Sequence, residues 1–125
     1  MMNTARVGLG RRGEQLAAEA LEQRGFALIA RNWRCAEGEV DLIAVREDQW
    51  YFFEVRARRG NTQGTPEESA TPRKRARMET VARRYLGEML EVDVVWHLGF
   101  VAVEMDVAGR LLRITIYPDL EGEPL

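Results

Sequence analysis

The sequence predicts one α/β domain built on a central mixed β-sheet flanked by helices. Three observations carry this reading. The elements legible along the chain come in the order α-β-β-β-α-β-β, with no internal repeat and no dividing linker. Two of the middle strands are apolar on both faces beyond a charged end, as covered central strands are. The length of 125 residues, 46% of them hydrophobic, suits a single core. The domain is expected to span residues 1–125, with an acidic tail after Pro118 that frays.

Gly13 to Arg24 reads as the first helix, because Leu16, Ala17, Ala20 and Leu21 recur at helical spacing and Gly25 supplies a stop. Phe26 to Ala30, Val40 to Val45 and Trp50 to Arg56 read as three strands. Residues 57–71, with Gly60, Gly64 and Pro66, read as a mobile loop whose length hints at function. Thr71-Pro72 is an N-cap followed by proline at N1. It opens a helix to about Leu90 with a core stripe of Met78, Val81, Ala82, Tyr85, Leu86 and Met89. Val92 to Met105 holds one or two strands, with Gly99 as a bend or bulge. Asp106 to Gly109 is a turn, and Leu111 to Tyr117 a closing strand.

Composition narrows the function classes. No apolar run reaches the ~20 residues of a membrane span. The stretch Met1 to Arg12 lacks the apolar centre of a secretory signal, and Cys35 is the sole cysteine. Both fit a cytoplasmic location. Net charge is −2, but it is unevenly spread. Residues 56–84 carry 9 basic and 3 acidic side chains, whereas residues 85–125 carry 2 basic and 8 acidic. A basic middle points either to a polyanion-facing surface or to a solvated helix face; Arg73, Lys74, Arg77 and Arg84 share the outer side of the second helix.

Asp41 and Glu54 stand out because carboxylates are almost never buried alone. If Arg46-Glu47-Asp48-Gln49 closes the hairpin, Val45 pairs with Trp50, Ile43 with Phe52, Asp41 with Glu54 and Glu39 with Arg56, all on one face. Opposed side chains have Cβ atoms ~5 Å apart. Two carboxylates so placed repel unless a proton or cation lies between them, and Mg²⁺ favours such oxygen donors. The alternative is a plain ion-pair network in which Arg56 neutralises Glu39 and Glu54. His97, beside Trp96, reads as a packed or edge residue rather than a base. Trp33 and Trp50 fit core packing as well as base stacking.

Gly38-Glu39-Val40-Asp41-Leu42-Ile43 followed by Phe53-Glu54-Val55-Arg56-Ala57-Arg58 resembles the G-E-I-D-L-I and F-V-E-V-K-x-R motifs of the YraN family. These are small bacterial proteins regarded as restriction-endonuclease-like and related to Holliday-junction resolvases. The resemblance extends through Gly10-Arg11-Arg12-Gly13-Glu14, Arg31-Asn32-Trp33-Arg34, Gly64-Thr65-Pro66-Glu67-Glu68, Thr71-Pro72-Arg73-Lys74, Ala82 and Tyr85-Leu86, and so covers Gly10 to Leu86. It implies a PD-(D/E)XK nuclease fold with Asp41 and Glu54 as metal ligands and Glu14 as a third acid. Mg²⁺ or Mn²⁺ is the implied cofactor, nucleic acid (DNA above all) the partner, and a homodimer an option taken by some relatives. Arg58, Arg73, Lys74 and Arg77 become the phosphate-facing residues.

This chain departs from the motif at Arg56, a catalytic position where the family has a lysine expected to steady the attacking water or the developing charge. Arginine keeps the charge but is effectively never deprotonated. Lys74 is the chain's only lysine. The R-F-D-V-V strand that usually follows the second helix has no clean match in Val92 to Val95 or His97 to Val101. Two functions follow as expectations: a metal-dependent, structure-selective nuclease, or a nucleic-acid-binding protein of the same fold with impaired chemistry. An interaction protein whose charges only solubilise it ranks third.

Overall fold

The computed structural model describes residues 4–60 and 64–125, with side chains of the first helix described from Leu9 onward. Part of the expected 57–71 loop and part of the opening stretch therefore lie outside the described residues. The elements are α1 (Thr4–Gln23), β1 (Ala27–Cys35), β2 (Gly38–Arg46), β3 (Gln49–Arg59), a 3₁₀ turn at Pro66–Ser69, α2 (Pro72–Met89), β4 (Val95–Met105) and β5 (Leu111–Tyr117). The strands form one sheet in the order β1-β2-β3-β4-β5. All neighbours are antiparallel except β3 and β4, which α2 connects in parallel. The expected α/β class, mixed sheet and element order are those observed.

Each helix covers one face. Ala17, Ala18 and Leu21 of α1 pack on Leu42, Ala44, Tyr51, Phe53, Val55, Val101 and Val103. Val81, Ala82 and Tyr85 of α2 pack on Val40, Ile43 and Phe52. Trp33, Trp50 and Phe52 gather around the Tyr85 ring at centroid distances of 5.2, 6.0 and 5.7 Å, so both tryptophans belong to the core. His97 stacks on Tyr51 at 4.9 Å, as a packed residue would.

Several boundaries differ from those expected. Helix α1 begins at Thr4 rather than Gly13. Gly13 is an interior position: a Cβ there would lie 2.8 Å from the Cβ of Ala57, so glycine lets the helix touch β3. Strand β1 runs on through the polar Arg31-Asn32-Trp33-Arg34 because it is an edge strand with one face in solvent. β3 continues to Arg59, paired with β4 as far as Met105, so the loop after it is shorter than expected. Gly99 lies in unbroken register with Phe53; it is small because the Phe53 ring and the Tyr117 carbonyl occupy the place of its side chain. Met89 is 57% exposed and outside the core stripe. The tail after Pro118 is tied back, with Leu120 N–H donating to Leu98 O and Leu125 N–H to Ile116 O.

The β2–β3 hairpin keeps the register read from its sequence, Val45 opposite Trp50 and Ile43 opposite Phe52. Glu47 and Asp48 turn it with φ of +53° and +63°, the left-handed pair that a two-residue turn needs. On α2, the Thr71 hydroxyl accepts a hydrogen bond from Lys74 N–H, completing the expected cap.

Candidate metal centre

The ladder between β2 and β3 stops at Leu42 opposite Phe53. Beyond that point Asp41 Oδ2 accepts the Val55 N–H at 2.7 Å, so a carboxylate occupies the fork between the strands. Alternation on β2 breaks at the same place. Val40 and Ile43 both pack on the α2 side, while Leu42 packs on the α1 side. Asp41 opens into a cleft on the α1 side, whose lining includes Glu14, Arg56, Arg58 and Arg59.

Helix α1 completes the cluster. Because Gly13 rests on Ala57, the next residue, Glu14, projects beside the fork. Glu14, Glu39 and Asp41 each offer a carboxylate oxygen, and the three lie within 4.8 Å of one another. Asn32, held at φ +50° on β1, joins two of them. With its amide nitrogen turned toward the acids it donates to Glu14 at 3.1 Å and Glu39 at 2.9 Å. The Asp41 carboxyl is pushed up to about 7, first by burial and then by the negative charge of Glu14, Glu54 and Glu39, against the Val55 bond that lowers it.

The expected opposition of Asp41 and Glu54 does not form. Phe53 and Val55 face α1, so alternation sends Glu54 to the other side with Phe52. Its carboxylate pairs with Arg56 Nη2 at 2.9 Å and takes no part in the three-acid group. The cause is the break in β2, which a regular ladder read from sequence does not contain. Glu39, expected opposite Arg56, instead pairs with Arg34 at 3.0 Å and replaces Glu54 as the third acid. Glu39 lies within the motif read from the sequence, but opposite Arg56 it reads as an ion-pair partner at most; Asn32 carries only the signal that asparagine tolerates left-handed backbone.

Oxygen donors of this kind suit Mg²⁺ or Mn²⁺. The Nε atoms of Arg56 and Arg58 are buried without a hydrogen-bond partner. Arg77 lays its stem against Gly38, next to Glu39, while Arg73 is exposed and Lys74 half-buried on α2. Arg84, on the same helix, is spent on Glu37 and Glu88.

The model of the uncharacterised protein family UPF0102 matches residues 13–107. The chain belongs to the UPF0102 family. A UPF0102 protein of Acidothermus cellulolyticus is 42% identical over 121 residues, covering 94% of this chain and 92% of that protein. Those of Roseiflexus castenholzii and Nocardia farcinica are 37% identical over 118 residues and 48% identical over 112. They cover 94% and 86% of this chain, and 95% and 83% of their own lengths. The part matched by the UPF0102 model contains every residue of the three-acid group, Asn32 and the Glu54–Arg56 pair. Among the described residues no helix is long and apolar enough to cross a membrane.

Proposed function

We propose that this UPF0102 protein is a Mg²⁺- or Mn²⁺-dependent nuclease of restriction-endonuclease-like fold, akin to the YraN proteins, acting on phosphodiester bonds of structured DNA. The observation that carries the reading is three convergent carboxylates, two of which, Glu14 and Asp41, line a cleft that arginines also line. Glu14, Glu39 and Asp41 would hold the ion, which when bound polarises a phosphate oxygen and acidifies a water. Asn32 keeps Glu14 and Glu39 turned toward each other. Arg58 and Arg59, which line the same cleft, supply positive charge for phosphate oxygens there. Arg77 extends the positive surface beyond Glu39 and holds a strand by charge rather than by sequence. A cytoplasmic location belongs to the same reading, since the substrate lies there.

The test is cleavage of branched, flapped and single-stranded DNA with Mg²⁺ or Mn²⁺. The proposal expects a metal-dependent product that Asp41→Ala abolishes and EDTA stops. Activity that survives Asp41→Ala contradicts it.

A second reading, a nucleic-acid-binding protein with impaired chemistry, is favoured by one observation. Arg56 holds the Glu54 carboxylate at 2.9 Å, and the two motif residues satisfy each other rather than the cleft. Binding in EDTA without cleavage, and cleavage created by Arg56→Lys, would select this reading over the first.

A further inference from the structure

The β4–β5 turn is gripped by two arginines from different elements. Arg12 of α1 donates through Nη1 to Gly109 O, and Arg59 at the end of β3 donates through Nε to Val107 O at 3.0 Å. The two guanidiniums converge on one point. A Cβ built on Gly109 would meet Arg12 Nη1 at 3.4 Å and Arg59 Nη2 at 3.4 Å. Gly109 is buried, with φ of +85°, so the turn both leaves room for the pair and fixes its geometry.

Two like charges held together in this way repel unless an anion shares them. No carboxylate forms an ion pair with either arginine among the described residues. None of the residues outside the description is acidic. The one acid of the turn, Asp106, is already used: Oδ1 accepts the Ala108 and Arg110 N–H groups at 2.9 and 2.8 Å, and Oδ2 accepts Arg110 Nε at 3.1 Å. Arg59 and Gly60 line the same cleft as Glu14 and Asp41.

We infer that Arg12 and Arg59, clamped by the β4–β5 turn, form a phosphate subsite for a non-scissile group of the nucleic-acid backbone lying in the cleft. Main-chain carbonyls take one N–H of each guanidinium and aim the rest, so little rotamer freedom is lost when a phosphate arrives. The subsite carries no base readout; it fixes where along the strand the three acids sit. This inference rests on the nucleic-acid reading above.

The test uses the full chain in EDTA, so that nothing is cut, with a fluorescent single-stranded DNA oligonucleotide read by anisotropy across a salt series. Neutralising one phosphate contact lowers the slope of log K against log salt by ~0.7 for a single strand. The double variant Arg12→Gln/Arg59→Gln is expected to lose about that much slope and bind roughly tenfold more weakly at low salt. Arg110→Gln, in the same turn but paired with Asp106, is expected to keep the wild-type slope. An unchanged slope in the double variant, or an equal loss in Arg110→Gln, overturns the subsite while the wild type still binds. Absence of wild-type binding at low salt instead overturns the parent reading. Inorganic phosphate supplies the second arm: it should raise the Tm of the wild type and not of the double variant. Phosphate stabilisation with an unchanged oligonucleotide slope overturns the nucleic-acid assignment. If the double variant does not fold, Arg12→Gln alone, which keeps the Arg59–Val107 bond, is expected to change both readouts in the same direction.

Discussion

Asp41 carries its charge where burial and three neighbouring carboxylates oppose it, which lifts its carboxyl from 3.8 to about 7. The folded chain therefore holds a proton that the unfolded chain has released between those values. The stabilising contribution is whole below about pH 4 and is lost as pH rises through 7, since the unfolded state then binds fewer protons than the native state. In EDTA, urea midpoints of the wild type should fall between pH 4.5 and 7.5. Asp41→Asn, which keeps an oxygen for the Val55 N–H, should remove most of that fall and be the more stable protein at pH 7.5 by about 1–3 kcal/mol. Mg²⁺ should stabilise the wild type at pH 7.5 and leave Asp41→Asn little changed. The oddity of Asp41 was legible in the sequence as an acid on an otherwise apolar strand. Its partners were not, because they follow from a break in alternation between Val40 and Ile43 that no pattern of residue types announces.

At the level of elements, α1 and β3 meet through a glycine, and this contact sets the position of Glu14. Gly13→Val forces a side chain against Ala57 Cβ, 2.8 Å from where it would begin, and should cost about 1–3 kcal/mol in chemical denaturation while weakening metal binding. Gly10→Ala, three residues earlier on the same helix with nothing within 4 Å, should instead stabilise by up to about 1 kcal/mol. Gly99→Ala should destabilise by about 1–3 kcal/mol in the same assay, since its methyl group meets the Phe53 ring at 2.6 Å and the Tyr117 carbonyl at 2.8 Å. Glycines were the least legible residues in the sequence. Gly13 reads as a helix start and Gly99 as a bend, because local propensity penalises glycine inside regular elements; tertiary contact overrode it at both positions. Where local chemistry alone decides, as at the Thr71-Pro72 cap and the Gly25 stop, sequence and structure agree.

Across the whole molecule, one sheet separates two apolar cores, and the fork between β2 and β3 opens the space where polar groups collect. The mixed sheet was readable from element order and the covered character of β2 and β3. The strand order could not be read, because it depends on α2 carrying the chain across to a parallel β4. The basic middle of the chain divides in space: Arg56, Arg58 and Arg59 line the cleft, Arg77 borders the Gly38 turn, and Arg84 is spent on ion pairs. The claim joining these observations is that Glu14, Glu39 and Asp41 share one divalent ion. Crystals grown with Mn²⁺ and measured at its absorption edge test it most directly. The account predicts an anomalous peak bounded by those three carboxylates; a peak at another position, or none with Mn²⁺ in excess, contradicts it.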